Sequence, residues 1–180
     1  MNIVLLGAPG AGKDTLAGKL SAIYGYKILT TGELYRKEKD AGTELGLRAY
    51  SYWGNGNLCP DDMTNELMKN AVSGFSPHDV AIFNGYPRTK AQAEYLDSVS
   101  KIGLALNIQV TDDEAIRRLL GRGRIDDTEE IIRHRLAVFH KNNIDIVGYY
   151  NSRLKTVDSN GSPSDVLSKA LPFILDAVSH

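Results

Sequence analysis

A lysine behind a run of glycines is the first chemistry this sequence offers. Gly7-Ala8-Pro9-Gly10-Ala11-Gly12-Lys13 has G-x-x-x-x-G-K spacing. Glycine lets a backbone curl until successive N–H groups point into one concavity. A helix starting there adds the partial positive charge of its N-terminus. The Lys13 ammonium supplies a full charge for the terminal phosphates of a nucleotide. The residue after such a lysine is ordinarily Ser or Thr, whose hydroxyl reaches Mg²⁺. Here Asp14 stands there, with Thr15 behind it.

Arginine is the second source of chemistry. Arg88 follows Pro87 and precedes a helix start, and its forked guanidinium suits two-pronged phosphate binding as lysine does not. Arg117, Arg118, Arg122, Arg124, Arg133 and Arg135 crowd one short region. Arg118 and Arg122 lie four residues apart, where like charges repel on a helix, and a bound polyphosphate would relieve that repulsion. Arg135 shares a helical face with Ile131, Val138 and Phe139, which points it inward or into a cleft. Arg117 and Arg133 read as plain solvated residues.

The elements that must position these groups alternate between short β-like runs and helical stretches, an α/β pattern with a parallel sheet between helices. Five runs read as strands: 3–6, 27–30, 80–83, 104–110 and 154–157. The run 3–6 is apolar throughout, as in a strand buried on both faces. Helices are expected from Lys13, behind Pro60 over Asp61–Ser73, over Asp127–Phe139 and from Ser162-Pro163. Capping-box spacing at Thr30–Glu33, Thr89–Gln92 and Thr111–Glu114 starts three more. The stretch 30–59 reads as helical excursions. Asp126 and Asp127 precede a helix and complement its dipole as caps.

Length and composition set bounds. At 180 residues the chain is one domain with room for a core. A formal net charge of -1 gives no long-range attraction to nucleic acid or an anionic membrane. One cysteine, Cys59, forms no internal disulfide and fits a reducing, cytoplasmic setting. The opening apolar run is too short for a secretory leader, and no stretch reaches the roughly 20 apolar residues of a membrane span. The four histidines have no metal-ligand spacing.

Five motifs, in order along nearly the whole chain, carry a family resemblance. The loop 7–15 resembles that of the adenylate kinases, a nucleoside monophosphate kinase family. Thr31-Gly-Glu-Leu-Tyr-Arg36 and Gly56-Asn57-Leu58-Cys59-Pro60-Asp61 resemble the two ends of its AMP-binding segment. Asn84-Gly85-Tyr86-Pro87-Arg88-Thr89 with Gln92 resembles its D-G-F-P-R-T signature. Arg122-Gly-Arg124-Ile-Asp126-Asp127, with Arg135, resembles its lid and the following helix.

The resemblance implies a P-loop three-layer α/β/α fold: a core of 1–29, 60–121 and 127–180, a helical AMP-binding segment at 30–59, and a very short lid at 122–126. It implies reversible phosphoryl transfer from ATP to AMP by a monomer. By the same resemblance, Gly10, Ala11, Gly12, Lys13, Asp14 and Thr15 hold ATP phosphates, and Arg118 stacks on the ATP adenine. Thr31 and Gln92 read the AMP adenine, Arg36 and Arg88 hold the AMP phosphate, and Asn57, Leu58, Cys59, Gly85, Tyr86 and Pro87 line the AMP pocket. Arg122, Arg124 and Arg135 neutralise the phosphates in transfer, Arg124 and Arg135 also reaching AMP. Asp126 and Asp127 help latch the lid. Mg²⁺ comes with ATP, held mostly by phosphates and water, and no structural zinc is expected.

Two departures stand out. The family's signature begins with an aspartate that helps hold Mg²⁺, and Asn84 replaces it. The lid is clipped and has no zinc-binding cysteines. Asp14 would restore the lost carboxylate, or would serve only as a first-turn acid for the helix dipole. Thr31 and Gln92 weigh against a UMP/CMP kinase, whose members usually carry alanine and asparagine there. Asn84 and the short lid are the grounds for a nucleotide-binding protein with impaired turnover. A P-loop switch NTPase would need an aspartate where Asn84 stands.

Overall fold

Ile3, Val4, Leu5 and Leu6 present no polar face, and the strand they build, β1 (Asn2–Gly7), is the middle one of the sheet. The computed structural model describes residues 1–124 and 127–179. Among them the order is β1, α1 (Lys13–Tyr24), β2 (Lys27–Thr30), α2 (Thr31–Asp40), α3 (Glu44–Trp53), α4 (Asp61–Val72), β3 (Ala81–Asn84), α5 (Lys90–Val99), β4 (Ile102–Gln109), α6 (Asp112–Gly121), α7 (Glu129–Tyr149), β5 (Leu154–Asp158) and α8 (Pro163–Val178). The five strands are all parallel, in the order β2-β3-β1-β4-β5.

Side chains alternate across β1 as a strand requires. Ile3 and Leu5 pack with Leu16 and Leu20 of α1 and Val166 and Ile174 of α8. Val4 and Leu6 face the other way, onto Met68 of α4, Leu96 of α5 and Ile146 and Tyr150 around the end of α7. The result is three layers, helix–sheet–helix. Leu5 pairs with Asn84 on one side and Leu106 on the other, so β3 ends two residues short of the end of β1. The chain leaves β1 for the β3–β2 side and later returns to β4 on the opposite side. A crevice forms outside the strand ends at such a reversal.

Between β2 and α4, helices α2 and α3 fold on one another. Gly46 permits it: a Cβ there would lie 2.2 Å from the Glu38 carbonyl carbon. Tyr35, Ala49, Cys59, Met63 and Leu67 make a small core under this pair.

Local expectations needed three corrections. Helix α7 runs on to Tyr149 instead of ending near Phe139. A polar stretch, His140 to Asn143, interrupts its apolar pattern, but the helix changes partners there, and Ile146 enters the central core. Its N-cap is Thr128, whose hydroxyl accepts from the Ile131 N–H, so Asp127 is not the cap. Of the predicted boxes, Thr89 and Thr111 do accept from the third residue on, but neither is answered. Gln92 and Glu114 spend their side chains elsewhere, and Thr30 makes no side-chain cap at all. The complete capping box is Ser162 with Asp165, at the start of α8. Among the described residues no helix is long and apolar enough to cross a membrane.

Candidate active site

The glycine loop leaves the end of β1 and enters α1 at Lys13. Gly10 has φ +81°, and a Cβ on it would stand 2.8 Å from the Ala115 carbonyl oxygen of α6. Glycine therefore serves both the turn and the close approach of α6. The Lys13 ammonium folds back over the loop and donates to the carbonyls of Gly7 (2.7 Å) and Ala8 (2.8 Å). Burial pushes its pKa down to about 8, Arg88 and Arg122 push the same way, and Asp14 opposes them.

Above the loop lies a cleft of ≈ 490 Å³, within the range of small-ligand sites. The loop and α1 contribute Gly10, Gly12, Lys13, Asp14 and Thr15; α6 and the residues after it contribute Arg118, Arg122 and Arg124. Across from them come Thr31 and Arg36 of α2, Asn57, Leu58 and Cys59 after α3, and Gly85, Pro87, Arg88 and Gln92 after β3. Arg135 enters from α7. Seven basic residues thus converge on one cavity, and among its described lining residues Asp14 alone is acidic.

Two expected residues do not line it. Ala11 opens instead on an adjoining hollow of ≈ 360 Å³, beside Gly12, Thr15, Arg118, Ser159 and Asn160. Tyr86 is fully buried in the central core, and its hydroxyl donates to Asn65 Oδ1 at 2.6 Å. The sequence put it in the pocket because its neighbours are there. The chain turns beyond the end of β3 through Gly85, φ +74°, and that turn carries the ring into the core beside Phe83. Two of the five residues of the expected short lid, 125 and Asp126, lie outside the described residues.

Three of the cleft arginines, Arg118, Arg122 and Arg135, are held by protein carboxylates. Asp127, its side chain 1% exposed, receives Arg122 Nε at 2.9 Å and Nη2 at 3.1 Å, and Arg135 Nη1 at 2.9 Å. Arg118 donates to Glu114 (2.7 Å) and to the Ser159 carbonyl (2.7 Å). The anticipated repulsion between Arg118 and Arg122 is therefore met inside the protein, by one carboxylate each. Arg117 and Arg118 together hold the Glu114 carboxyl down at about 2. Arg117 pairs on the surface with Glu114 and Arg133 with Glu129, as solvated residues should. The Arg124 guanidinium makes no hydrogen bond or ion pair among the described residues.

On the opposite wall, the Gly85 carbonyl accepts from the Thr31 hydroxyl (2.9 Å) and from Arg88 Nε (2.7 Å). Gln92 is buried. Its Oε1 accepts from the Arg88 backbone N–H at 2.7 Å, and its Nε2 donates to Asp61 Oδ1 at 2.7 Å. Asn57 Oδ1 meets His134 of α7 at 2.8 Å. Burial raises the Cys59 thiol's pKa. Asn84, last in β3, donates from Nδ2 to Asp14 Oδ1 at 2.6 Å and to the Thr30 hydroxyl at 3.3 Å.

Sequence reading missed several lining residues. Tyr35 and Thr64 share a hydrogen bond of 2.9 Å at the cleft wall. Trp53 lines the cleft with its indole N–H buried and unpartnered among the described residues. Val138, Phe139, Asn143 and Ile146 continue the Arg135 face of α7 at helical spacing. That spacing was the available signal, and ending the helix at Phe139 hid it.

Known proteins share this chain's sequence over almost its whole length. The model of the family described as Adenylate kinase matches residues 5–155. A protein named Adenylate kinase from Mycolicibacterium smegmatis is 41% identical over 176 residues, 95% of this chain and 97% of the relative. Proteins of the same name from Mycobacterium marinum (39%) and Mycobacterium tuberculosis (38%) match over the same shares.

Proposed function

The chain belongs to the adenylate kinase family, and from that premise we propose how its cleft divides the labour of transferring a phosphoryl group from ATP to AMP. One observation carries the reading: a glycine loop with its lysine and a separate set of arginines open onto the same cavity. A phosphate loop by itself accounts for one phosphorylated substrate. Arg36 and Arg88 lie on different elements from the loop and suit a second.

ATP phosphates take the loop from Gly10 to Thr15. Lys13 then leaves the Gly7 and Ala8 carbonyls for phosphate oxygens. Arg118 borders both the cleft and the hollow beside Ser159, which suits it to the ATP adenine. AMP takes the opposite wall, with its phosphate on Arg36 and Arg88 and its adenine near Thr31 and Gln92. The segment 30–59, packed as its own small helical pair, forms that wall. Arg122, Arg124 and Arg135 face the space between the two nucleotides.

Phosphoryl transfer makes little covalent demand on the protein. It requires two substrates in line, compensation of the charge on the transferred group, and exclusion of water. Cations already in place act on the transition state without reorganisation. Asp127 holds Arg122 and Arg135 in such readiness. The attacking AMP phosphate is already ionised at neutral pH, so no general base is required.

No group of three or more metal-ligating His, Cys, Asp or Glu side chains occurs among the described residues. The Thr15 hydroxyl and the Asp14 carboxylate are the hard oxygens beside the loop, and they suit Mg²⁺ arriving on ATP. When bound, the ion neutralises charge on the phosphates. A single buried thiol supports a reducing cytoplasmic setting, and a monomer is the simplest state for a site built from one chain.

A coupled assay of ADP formation from ATP with AMP, UMP, CMP or GMP tests the reading. Turnover with AMP well above the others is expected. No turnover with any acceptor, despite tight ATP binding, would overturn it.

A further inference from the structure

Asp14 is out of place by charge. Among the described lining residues it is the one acid in a cleft built for polyphosphates, beside seven basic ones. It nevertheless makes no ion pair among the described residues. Its neighbour Lys13 turns away to the Gly7 and Ala8 carbonyls. Its partner is a neutral amide: Asn84 Nδ2 donates to Oδ1 at 2.6 Å.

That amide is firmly placed. Asn84 is 1% exposed, ends β3, and is registered against Leu5 of β1 and Thr30 of β2. The same Nδ2 also donates to the Thr30 hydroxyl. The amide therefore fixes one Asp14 oxygen without neutralising its charge, and leaves Oδ2 available. Beside nucleotide phosphates a bare carboxylate is repelled, unless a cation lies between them. A hard dication takes oxygen ligands and favours carboxylates. An acid that served only the α1 dipole would have no need of Asn84.

We propose that Asp14 is the protein carboxylate that receives the Mg²⁺ carried by ATP, directly or through water, with Asn84 as its positioning residue. This rests on the ATP site described above. It assigns a chemical purpose to both residues by which the chain departs from its motif.

The test measures ATP affinity calorimetrically, once with Mg²⁺ and once in EDTA, and takes the ratio. Wild type is expected to favour MgATP. Asp14→Asn should cut the ratio by about tenfold, the usual scale for groups that tune a metal site. The change should come from both sides, weaker MgATP binding and tighter metal-free ATP binding, which general damage would not produce. Asn84→Ala should lower the ratio partly. Asn84→Asp added to Asp14→Asn should recover it, because the carboxylate then returns at the adjoining position. An unchanged ratio in Asp14→Asn, with only a lower melting temperature, would reduce Asp14 to a helix-dipole acid and overturn the proposal. An unchanged ratio in Asn84→Ala would remove the positioning role. Failure of wild type to bind ATP in either medium would sink the nucleotide site itself.

Discussion

Arg122 holds Asp127 with two prongs, Nε to Oδ2 at 2.9 Å and Nη2 to Oδ1 at 3.1 Å, and Asp127 is almost wholly buried. Arg135 shares the same carboxylate. Two cations that would repel each other are thus kept side by side at the cleft. Asp127→Asn should release Arg122 and loosen Arg135, which keeps its bond to the Trp53 carbonyl. Removing one partner of a buried pair is costly, but Arg122 is about a third exposed, so about 2 kcal/mol of stability is expected to go. A fall in kcat of at least about tenfold should accompany it, because the arginines lose their aim. Urea unfolding and steady-state kinetics on the same preparation check both. An unaltered kcat would mean that substrates alone orient the two arginines.

Lys13 is expected to carry a measurable proton linkage. Its folded pKa is about 8, against an ordinary 10.5. The folded value lies below the unfolded one, so Lys13 destabilises the free chain below about pH 8. That penalty is relieved as pH rises from 8 towards 10.5. Bound phosphates favour the charged form and raise the value again. At pH 9, ATP binding should therefore take up a substantial fraction of a proton. Calorimetry in buffers of different ionisation enthalpy reads this directly. kcat/KM for ATP should decline as pH passes about 8. Lys13→Met should lower kcat by roughly a hundredfold or more and abolish the uptake.

Gln92 sits in a hydrogen-bond chain from the Arg88 backbone to Asp61. Gln92→Ala leaves both partners unsatisfied at a buried site, which costs about 1–3 kcal/mol. KM for AMP should rise by about tenfold or more, and discrimination against UMP and CMP should weaken. KM for ATP should stay within about twofold. Equal effects on both nucleotides would place Gln92 in general support of the cleft.

Trp53 is the chain's only tryptophan, and it lines the cleft from the end of α3 with an indole N–H that has no partner among the described residues. AMP should change its emission in a saturable way. ATP alone should change it little, because the phosphate loop lies on other elements. A response to ATP and none to AMP would reverse the assignment of the two walls.

Much of this molecule was legible in one dimension because local chemistry determines it. The wholly apolar run 3–6 read as a buried strand, and the glycines, Lys13 and a helix start followed it in the spacing of a phosphate-loop motif. Arg88 and Arg135 could be directed towards a cleft from a proline turn and a helix face. Tyr86 was misplaced, because the turn at Gly85 beyond the end of β3 carries its ring into the core. The end of α7 was misplaced because tertiary contacts sustain a helix across a polar stretch.

By itself, the sequence determined that strands alternate with helices, that a phosphate-loop motif follows β1, and that Asp14 and Asn84 are both unusual. Those are properties of neighbouring residues and of periodicity. Only the tertiary structure decided which distant groups meet. Sheet order sets β3 beside β1, with its last residue opposite Leu5, so Asn84 reaches Asp14 across 70 positions of chain. The fold also brings α7 back over the loop, so Asp127 becomes a clamp and not a helix cap. Such pairings depend on through-space distance and burial, and residue order along the chain carries no record of either.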